Sequence, residues 1–332
     1  MTAVRASRLV TAVIVTMIMP GVPAERAMAA GLDALAVDGL YTWRVAATDD
    51  APCWCCVNWS GKSHTARPCD LDSRNVGYSV DDSLDTGGEM QVYALIESGK
   101  PTRIRTLSPQ CAVSSRRDII DLGVIGPAES LAWLQERVMS SPVGSDALAA
   151  IAVHRDPAAL SFLLDIARAG PAMELREDAI FWMAQGRISE SAGELEKLMF
   201  RDQDPEIRQH AAFSLSQSSA PNRGDALIRQ GREDEDPEVR SQAWFWLAQT
   251  GLNGSEKEIR WAIANDPEDD VREEAVFALS QLPGERGVDA LFEVLRDQGL
   301  HREIREQALF WLAQSDSDRA FAYLDELLAG RK

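Results

Sequence analysis

The sequence predicts a mainly helical protein: a solenoid of stacked helix pairs, preceded by a small β-rich domain held by disulfides. Three observations carry that expectation. The pentapeptide "FWLAQ" at 245–249 returns unchanged at 310–314, with looser copies "FWMAQ" at 181–185, "FSLSQ" at 213–217 and "FALSQ" at 277–281. An arginine precedes each copy, at Arg176, Arg208, Arg240, Arg272 and Arg305, so the register recurs three times at 32 residues and once at 33. All five cysteines, by contrast, lie before residue 112. Repetition at that period marks a solenoid, in which each unit buries its apolar face on the next.

From the N-terminus, residues 1–29 read as a signal peptide. Arg5 and Arg8 make a basic start, and Leu9 to Met19 is an apolar run too short to span a bilayer. Ala27-Met28-Ala29 suits a small-x-small cleavage site. No Cys follows closely enough to take a lipid anchor, and no later run is apolar enough to cross a membrane. The expected location is periplasmic or secreted.

Residues 30–115 are expected to form the β-rich domain. "YTWRVAA" (41–47) alternates as a strand does, and "MQVYALIESGKPTRIRTL" (90–107) reads as a hairpin turning at Ser98 to Pro101. So short a β segment makes a marginal core, which disulfides would support. The candidates are Cys53, Cys55, Cys56, Cys69 and Cys111. Their number is odd, so at most two bridges form and one thiol is left over. In a strand Cys53 and Cys55 share one face and Cys56 points to the other, so bridges to Cys69 and Cys111 can leave in two directions. A metal or redox site is the competing reading of "CWCC". His64 is near, but the paired C-x-x-C spacing of metal sites is missing, and C-x-C-C is not a thioredoxin-type motif.

Residues 116–332 are expected to hold about five to six helix pairs and a closing helix. The first helix of a unit shows apolar residues three and four apart, as in Val288, Leu291, Phe292 and Leu295. A polar turn such as "DEDPEVR" (234–240) follows, with Asp236 as N-cap and Pro237 at the first helical position. The motif helix comes next. Residues 127–154 look like a worn first unit, and "RAFAYLDELLAG" (319–330) like the closing helix.

The runs "D-x-D-P-E-[VI]-R-x-x-A" at 202–211 and 234–243 resemble the HEAT-repeat families, in particular the short bacterial type also found in phycobilisome-lyase-like proteins. The resemblance covers roughly residues 127–332. It implies a right-handed α-solenoid with the motif helix on the concave side. Two turns depart from the pattern: His301 replaces the aspartate of the last unit, and 267–270 reads "PEDD".

On a helical wheel Val239, Ala243, Trp246 and Leu247 share one arc, the expected core. Ala184, Ser216, Ala248, Ser280 and Ala313 are small, which admits a close neighbour. Phe181, Phe213, Phe245, Phe277 and Phe310 fall away from the core centre, with Gln185, Gln217, Gln249, Gln281 and Gln314 one turn later. Two uses stay open for these rows. The rings pack between neighbouring motif helices, or they floor a groove for an extended peptide whose backbone the amides pair with. The residue after Phe alternates (Trp182, Ser214, Trp246, Ala278, Trp311), so large and small side chains interdigitate from layer to layer. The arginines are placed to bond acidic turn residues such as Asp204 or Asp236.

A net charge of −18 and a pI near 4.7 repel phosphate backbones and anionic lipid, so neither is an expected partner. None of the four His is followed by Glu, which argues against the di-iron hydroxylase branch of HEAT proteins. No Gly-rich phosphate loop or G-x-S-x-G occurs, and no cofactor is expected. The scattered acids read as solvated faces and caps. The sequence therefore points to an exported scaffold that binds a peptide or protein in the cell envelope. The alternative is an accessory enzyme, chromophore-lyase-like or acting through the cysteine cluster.

Overall fold

The computed structural model describes residues 31–57, 68–73, 77–80, 86–140 and 142–329. The signal-peptide segment and His64 lie outside them. A 3-10 turn at Gly31–Ala36 leads into the strands β1 (Gly39–Ala46), β2 (Trp54–Val57), β3 (Cys69–Asp70) and β4 (Gly77–Val80). Next come β5 (Glu89–Glu97), β6 (Lys100–Leu107), β7 (Val113–Ser114) and β8 (Ile119–Val124). The main sheet has the order β6-β5-β1-β8, antiparallel except where β8 runs parallel to β1. β5 and β6 form the hairpin read from the sequence. Ser98 and Gly99 turn it with φ of 56° and 69°, the positive values a two-residue hairpin turn requires. β8 lies past residue 115, so the change from strand to helix falls between Val124 and Pro127.

Alternation along the strands gives this sheet two apolar faces. Leu40, Tyr93, Leu95 and Leu107 face a layer containing Cys56, Cys69, Leu71 and Cys111. Cys55 is bridged to Cys111 and Cys56 to Cys69, across Cα–Cα distances of 5.5 and 5.1 Å. Neighbouring residues of β2 thus send bridges in different directions, as the pleat dictates. Cys53, just before β2, stands outside both bridges.

The other face, with Tyr41, Trp43, Val45, Val92, Ala94, Ile96 and Ile104, belongs to one core shared with the helices. Trp43 meets Trp133 edge-on at 5.4 Å and donates its indole N–H to Ser130 Oγ at 2.9 Å. Thr48 donates its backbone N–H to the Val153 carbonyl and its hydroxyl to the Gly186 carbonyl, at 2.9 and 2.6 Å. A sheet that is apolar on both faces needs two covering layers, and the first helices supply one of them.

The helices fall into pairs. α1 (Pro127–Val138) and α2 (Gly144–Ala152) come first, then α3 (Pro157–Ala169) with α4 (Met173–Gly186) and α5 (Ile188–Arg201) with α6 (Pro205–Ser216). α7 (Arg223–Glu233) pairs with α8 (Pro237–Gln249), and α9 (Ser255–Asn265) with α10 (Asp269–Ser280). α11 (Glu285–Arg296) pairs with α12 (Arg302–Gln314), and α13 (Asp318–Leu328) closes the array. Asp204 and Asp236 cap α6 and α8, accepting from the backbone N–H of Glu206 and Glu238 at 3.0 and 2.9 Å. The motif sits on α4, α6, α8, α10 and α12. These helices pack on one another more closely along the stack than the first helices of the pairs do.

The expected core arc needs one correction. Val239, Ala243 and Leu247 are buried, but Trp246 is only half-buried, and the fully buried indole is that of Trp244. Trp244 packs on α7 at Gly231, where a Cβ would stand 2.5 Å from the indole ring. A wheel with a single core centre fails here because α8 is covered on three sides: by α7, α6 and α10.

Candidate partner-binding face

The register of the face is set by the arginine that opens each motif helix. Arg208 donates two hydrogen bonds to Asp234 at 2.9 Å each, and Arg240 two to Asp266 at the same distance. Arg176 reaches Asp202 at 2.7 Å. Each arginine thus holds the aspartate that ends the first helix of the next unit. That aspartate also accepts from the backbone N–H two residues on, at 3.0 Å in all three turns. The turn therefore divides its acids: Asp204 and Asp236 cap helices, while Asp202, Asp234 and Asp266 take the arginines. Asp204 and Asp236, expected from the sequence in the second role, are not the arginines' side-chain partners in these turns. The hydrogen bonds that Arg208 donates to Asp234, and Arg240 to Asp266, hold both arginines above the usual guanidinium pKa. The ladder stops at Arg272, which pairs with Asp269 of its own helix. There the turn within the last pair, 297–301, is longer than 266–268.

Stacked in this register, the five phenylalanines make one row. Phe181 and Phe213 lie face to face at 5.9 Å, and Phe245 and Phe277 at 5.8 Å. Between these pairs the contact passes through tryptophan: Trp246 meets Phe213 at 4.7 Å and Trp311 meets Phe277 at 4.8 Å. Trp182 has no earlier Phe to meet and packs instead on Trp54 of β2 at 5.2 Å. The alternation of large and small residues after Phe is therefore a packing device. Where Ser214 or Ala278 follows, two Phe rings stack; where a Trp follows, its indole fills the gap. Phe181, Phe213, Phe245 and Phe277 are half-buried, and Phe310 at the open end is 52% exposed. The rings are thus packed between units, as the first reading of the row expects, and they remain partly exposed.

The glutamines lie at the C-terminal ends of the motif helices. Gln217, Gln249 and Gln314 are exposed, and Gln281 is half-buried. Gln217 and Gln281 donate to the hydroxyls of Ser216 and Ser280 at 3.1 and 2.9 Å. The amide nitrogen of the half-buried Gln185 has no hydrogen-bond partner among the described residues. Gln281 and Gln314 share a groove with Trp311, whereas the grooves floored by Phe213 and Phe310 hold no glutamine of this row.

Acidic groups line those two grooves instead. One, of about 390 Å³, is lined by Glu177, Glu206, Gln209, His210, Phe213, Gln242 and Trp246. The other, of about 450 Å³, is lined by Glu273, Glu303, Glu306, Gln307 and Phe310. Burial and then the charges of Glu206, Glu174, Asp178 and Asp204 push the Glu177 carboxyl above its usual range. Burial, then Glu238, Glu273 and Asp270, do the same to Glu274. The sequence reading missed this concentration, although a signal existed. An acid stands seven residues before every Phe: Glu174, Glu206, Glu238, Asp270 and Glu303. Seven residues is two helical turns, so this row shares a stripe with the rings.

Among the described residues no group of His, Cys, Asp and Glu is arranged to hold a metal ion, and no helix is long and apolar enough to cross a membrane. Residues 160–248 and 256–331 match the family model for HEAT repeats. A comparison with curated proteins finds no match. Among solved structures, human deoxyhypusine hydroxylase in complex with glycerol is similar at 18% identity, over 56% of this chain and 73% of that one, with a TM-score of 0.31. The Escherichia coli protein YibA is similar at 17% identity, over 60% of this chain and 81% of that one, with a TM-score of 0.35. The family match runs through the same helix pairs that carry the arginine ladder and the motif, and this chain is a HEAT-repeat protein.

Proposed function

We propose that the chain is an exported, non-catalytic scaffold of the cell envelope and that its motif-helix face holds a peptide or protein partner. The observation that carries this reading is the row of Phe rings, stacked in pairs and bridged by Trp246 and Trp311, partly exposed on helices that stack closely enough to form one surface. Half-wet aromatic rings in line are good anchors, because covering them removes apolar area at little cost in side-chain freedom. The exposed Gln217, Gln249 and Gln314 add amides able both to donate and to accept. The close packing of the motif helices supports placing them on the concave side. An enzyme working through the cysteine cluster has less support, because Cys55, Cys56, Cys69 and Cys111 are taken up in bridges.

The test compares the immobilised full chain with its Phe245→Ala variant for capture of partners from envelope extract. Phe245→Ala is expected to stay cooperatively folded and to lose less than about 2 kcal/mol of stability, between exposed and buried values. It should weaken capture by at least about tenfold, roughly 1.4 kcal/mol. Normal capture with a loss of about 3–5 kcal/mol, as from a gutted core, would make the row mortar between helices and nothing more.

A further inference from the structure

The acids and the rings on the motif-helix face stand in a fixed relation that names the chemistry of an occupant. Glu174, Glu206, Glu238, Asp270 and Glu303 are all exposed. No ion pair among the described residues neutralises any of the five. They run parallel to the Phe row, two helical turns toward the N-termini of the motif helices. Glu177, Glu273 and Glu306 fill the turn between the two rows. Positive charge on this side is sparse. The arginines of the ladder are committed to Asp202, Asp234 and Asp266, and Arg302 pairs with Glu306 at 3.5 Å. His210 lies 4.0 Å from Glu177, and burial holds its imidazole below the usual range.

We propose, resting on the reading of this face as the docking surface, that its occupant is a cationic extended segment whose Lys or Arg side chains cross the Phe row to reach the acidic row. The stacked rings remain half-exposed. Such a ledge suits the aliphatic stem of a long basic side chain, whose charged head then meets carboxylates. Ordering two carboxylates from adjacent units around one basic head also relieves the repulsion between them. Glu177 and Glu206, which line one groove, are such a pair. Carboxylates that lack partners in the free protein lose no existing ion pair when the segment docks, which favours a charge-selective and salt-sensitive complex.

The probe is a fluorescein-labelled peptide of alternating Lys and Leu, compared with counterparts carrying Gln or Glu in place of Lys. Binding to the oxidised full chain is read by fluorescence anisotropy in low and in physiological salt. The Lys peptide is expected to bind at least about tenfold more tightly than the Gln peptide, to weaken with salt, and to outcompete the Glu peptide entirely. The Glu206→Gln/Glu238→Gln/Asp270→Asn variant should lose at least about tenfold in affinity. It gives up three first-turn acids that favour the helix dipoles as well as the repulsion among them, so binding is read at a temperature where both proteins are fully folded. Asp165→Asn/Asp225→Asn/Glu233→Gln removes as many exposed charges from first helices and should lose less than about twofold. Equal losses in the two triple variants would reduce the attraction to bulk charge and overturn the proposal. Equal binding of the Lys and Gln peptides, still lost in Phe245→Ala, would overturn the charge selectivity while leaving the docking face in place. Lys-peptide binding that Phe245→Ala leaves untouched would remove the docking face itself.

Discussion

Phe213 lies against Phe181 with 9° between the ring planes and 5.9 Å between centroids, although the two residues belong to different helix pairs. The same relation returns at Phe245 and Phe277, but between Phe213 and Phe245 it is broken by Trp246. The repeat of sequence is one unit, and the repeat of side-chain contact is two.

That division of labour ranks three substitutions in the same unit. Trp244 is fully buried against Gly231, so Trp244→Ala should cost about 3–5 kcal/mol. Trp246 rests half-buried on Phe213 and Phe245, so Trp246→Ala should cost clearly less. Gly231→Ala drives a methyl into the Trp244 ring and should cost about 1–3 kcal/mol by overpacking. Urea melts of the three variants give the order, and a larger loss at Trp246 than at Trp244 would refute it.

The arginine ladder predicts a second asymmetry. Arg240 and Asp266 are both buried and joined by two hydrogen bonds. Asp266→Ala strands a buried guanidinium and should cost about 3–5 kcal/mol. The same change at Asp269, an exposed partner of Arg272, should cost less than about 1 kcal/mol. Thermal denaturation of the two variants checks this, with equal shifts as the contrary result.

His154 predicts a pH effect at the junction of sheet and helices. Its side chain is fully buried and neither ring nitrogen has a hydrogen-bond partner. Burial lowers its pKa to about 4, with Asp156 opposing and Arg187 assisting. The folded protein holds the neutral ring, so between the ordinary 6.5 and about 4 the unfolded chain binds more protons. Stability should therefore fall as pH drops through that window, by up to about 3 kcal/mol at about 1.4 per pH unit. His154→Leu should flatten this part of the profile relative to the parent. Parallel profiles for the two proteins would show that the ring does not titrate there.

The solenoid was legible because its signals are local: a fixed period, capping Asp-Pro turns and an apolar stripe. The hairpin at Ser98 and Gly99 was legible for the same reason. What stayed hidden depends on neighbours that a single helix does not reveal. Trp244 was passed over because its burial comes from α7, and Asp234 because its arginine arrives from the preceding unit. The second apolar face of the sheet reads as plain hydrophobicity until α1 and α2 are laid on it. The acidic row was visible letter by letter, yet acids are so common in this chain that their phase with Phe was lost among solvated faces.

The placement of the bridges yields a further expectation. They lie in the layer on one face of the sheet, while the opposite face is part of the helical core. Reduction should loosen that layer, with a loss of about 2–4 kcal/mol for its own unfolding, and leave the helical circular dichroism nearly intact. Loss of most of the helical signal on adding reductant would show that the solenoid depends on the bridges.

The most direct test of the motif-helix face is site-specific photocrosslinking within one unit. p-Benzoylphenylalanine is placed at Gln249, exposed at the end of α8, or at Asp225, exposed on α7. The protein is then irradiated in envelope extract. A partner adduct from the Gln249 position and none from the Asp225 position is the predicted result. Adducts from Asp225 alone, or equally from both, would contradict the assignment of binding to the motif helices.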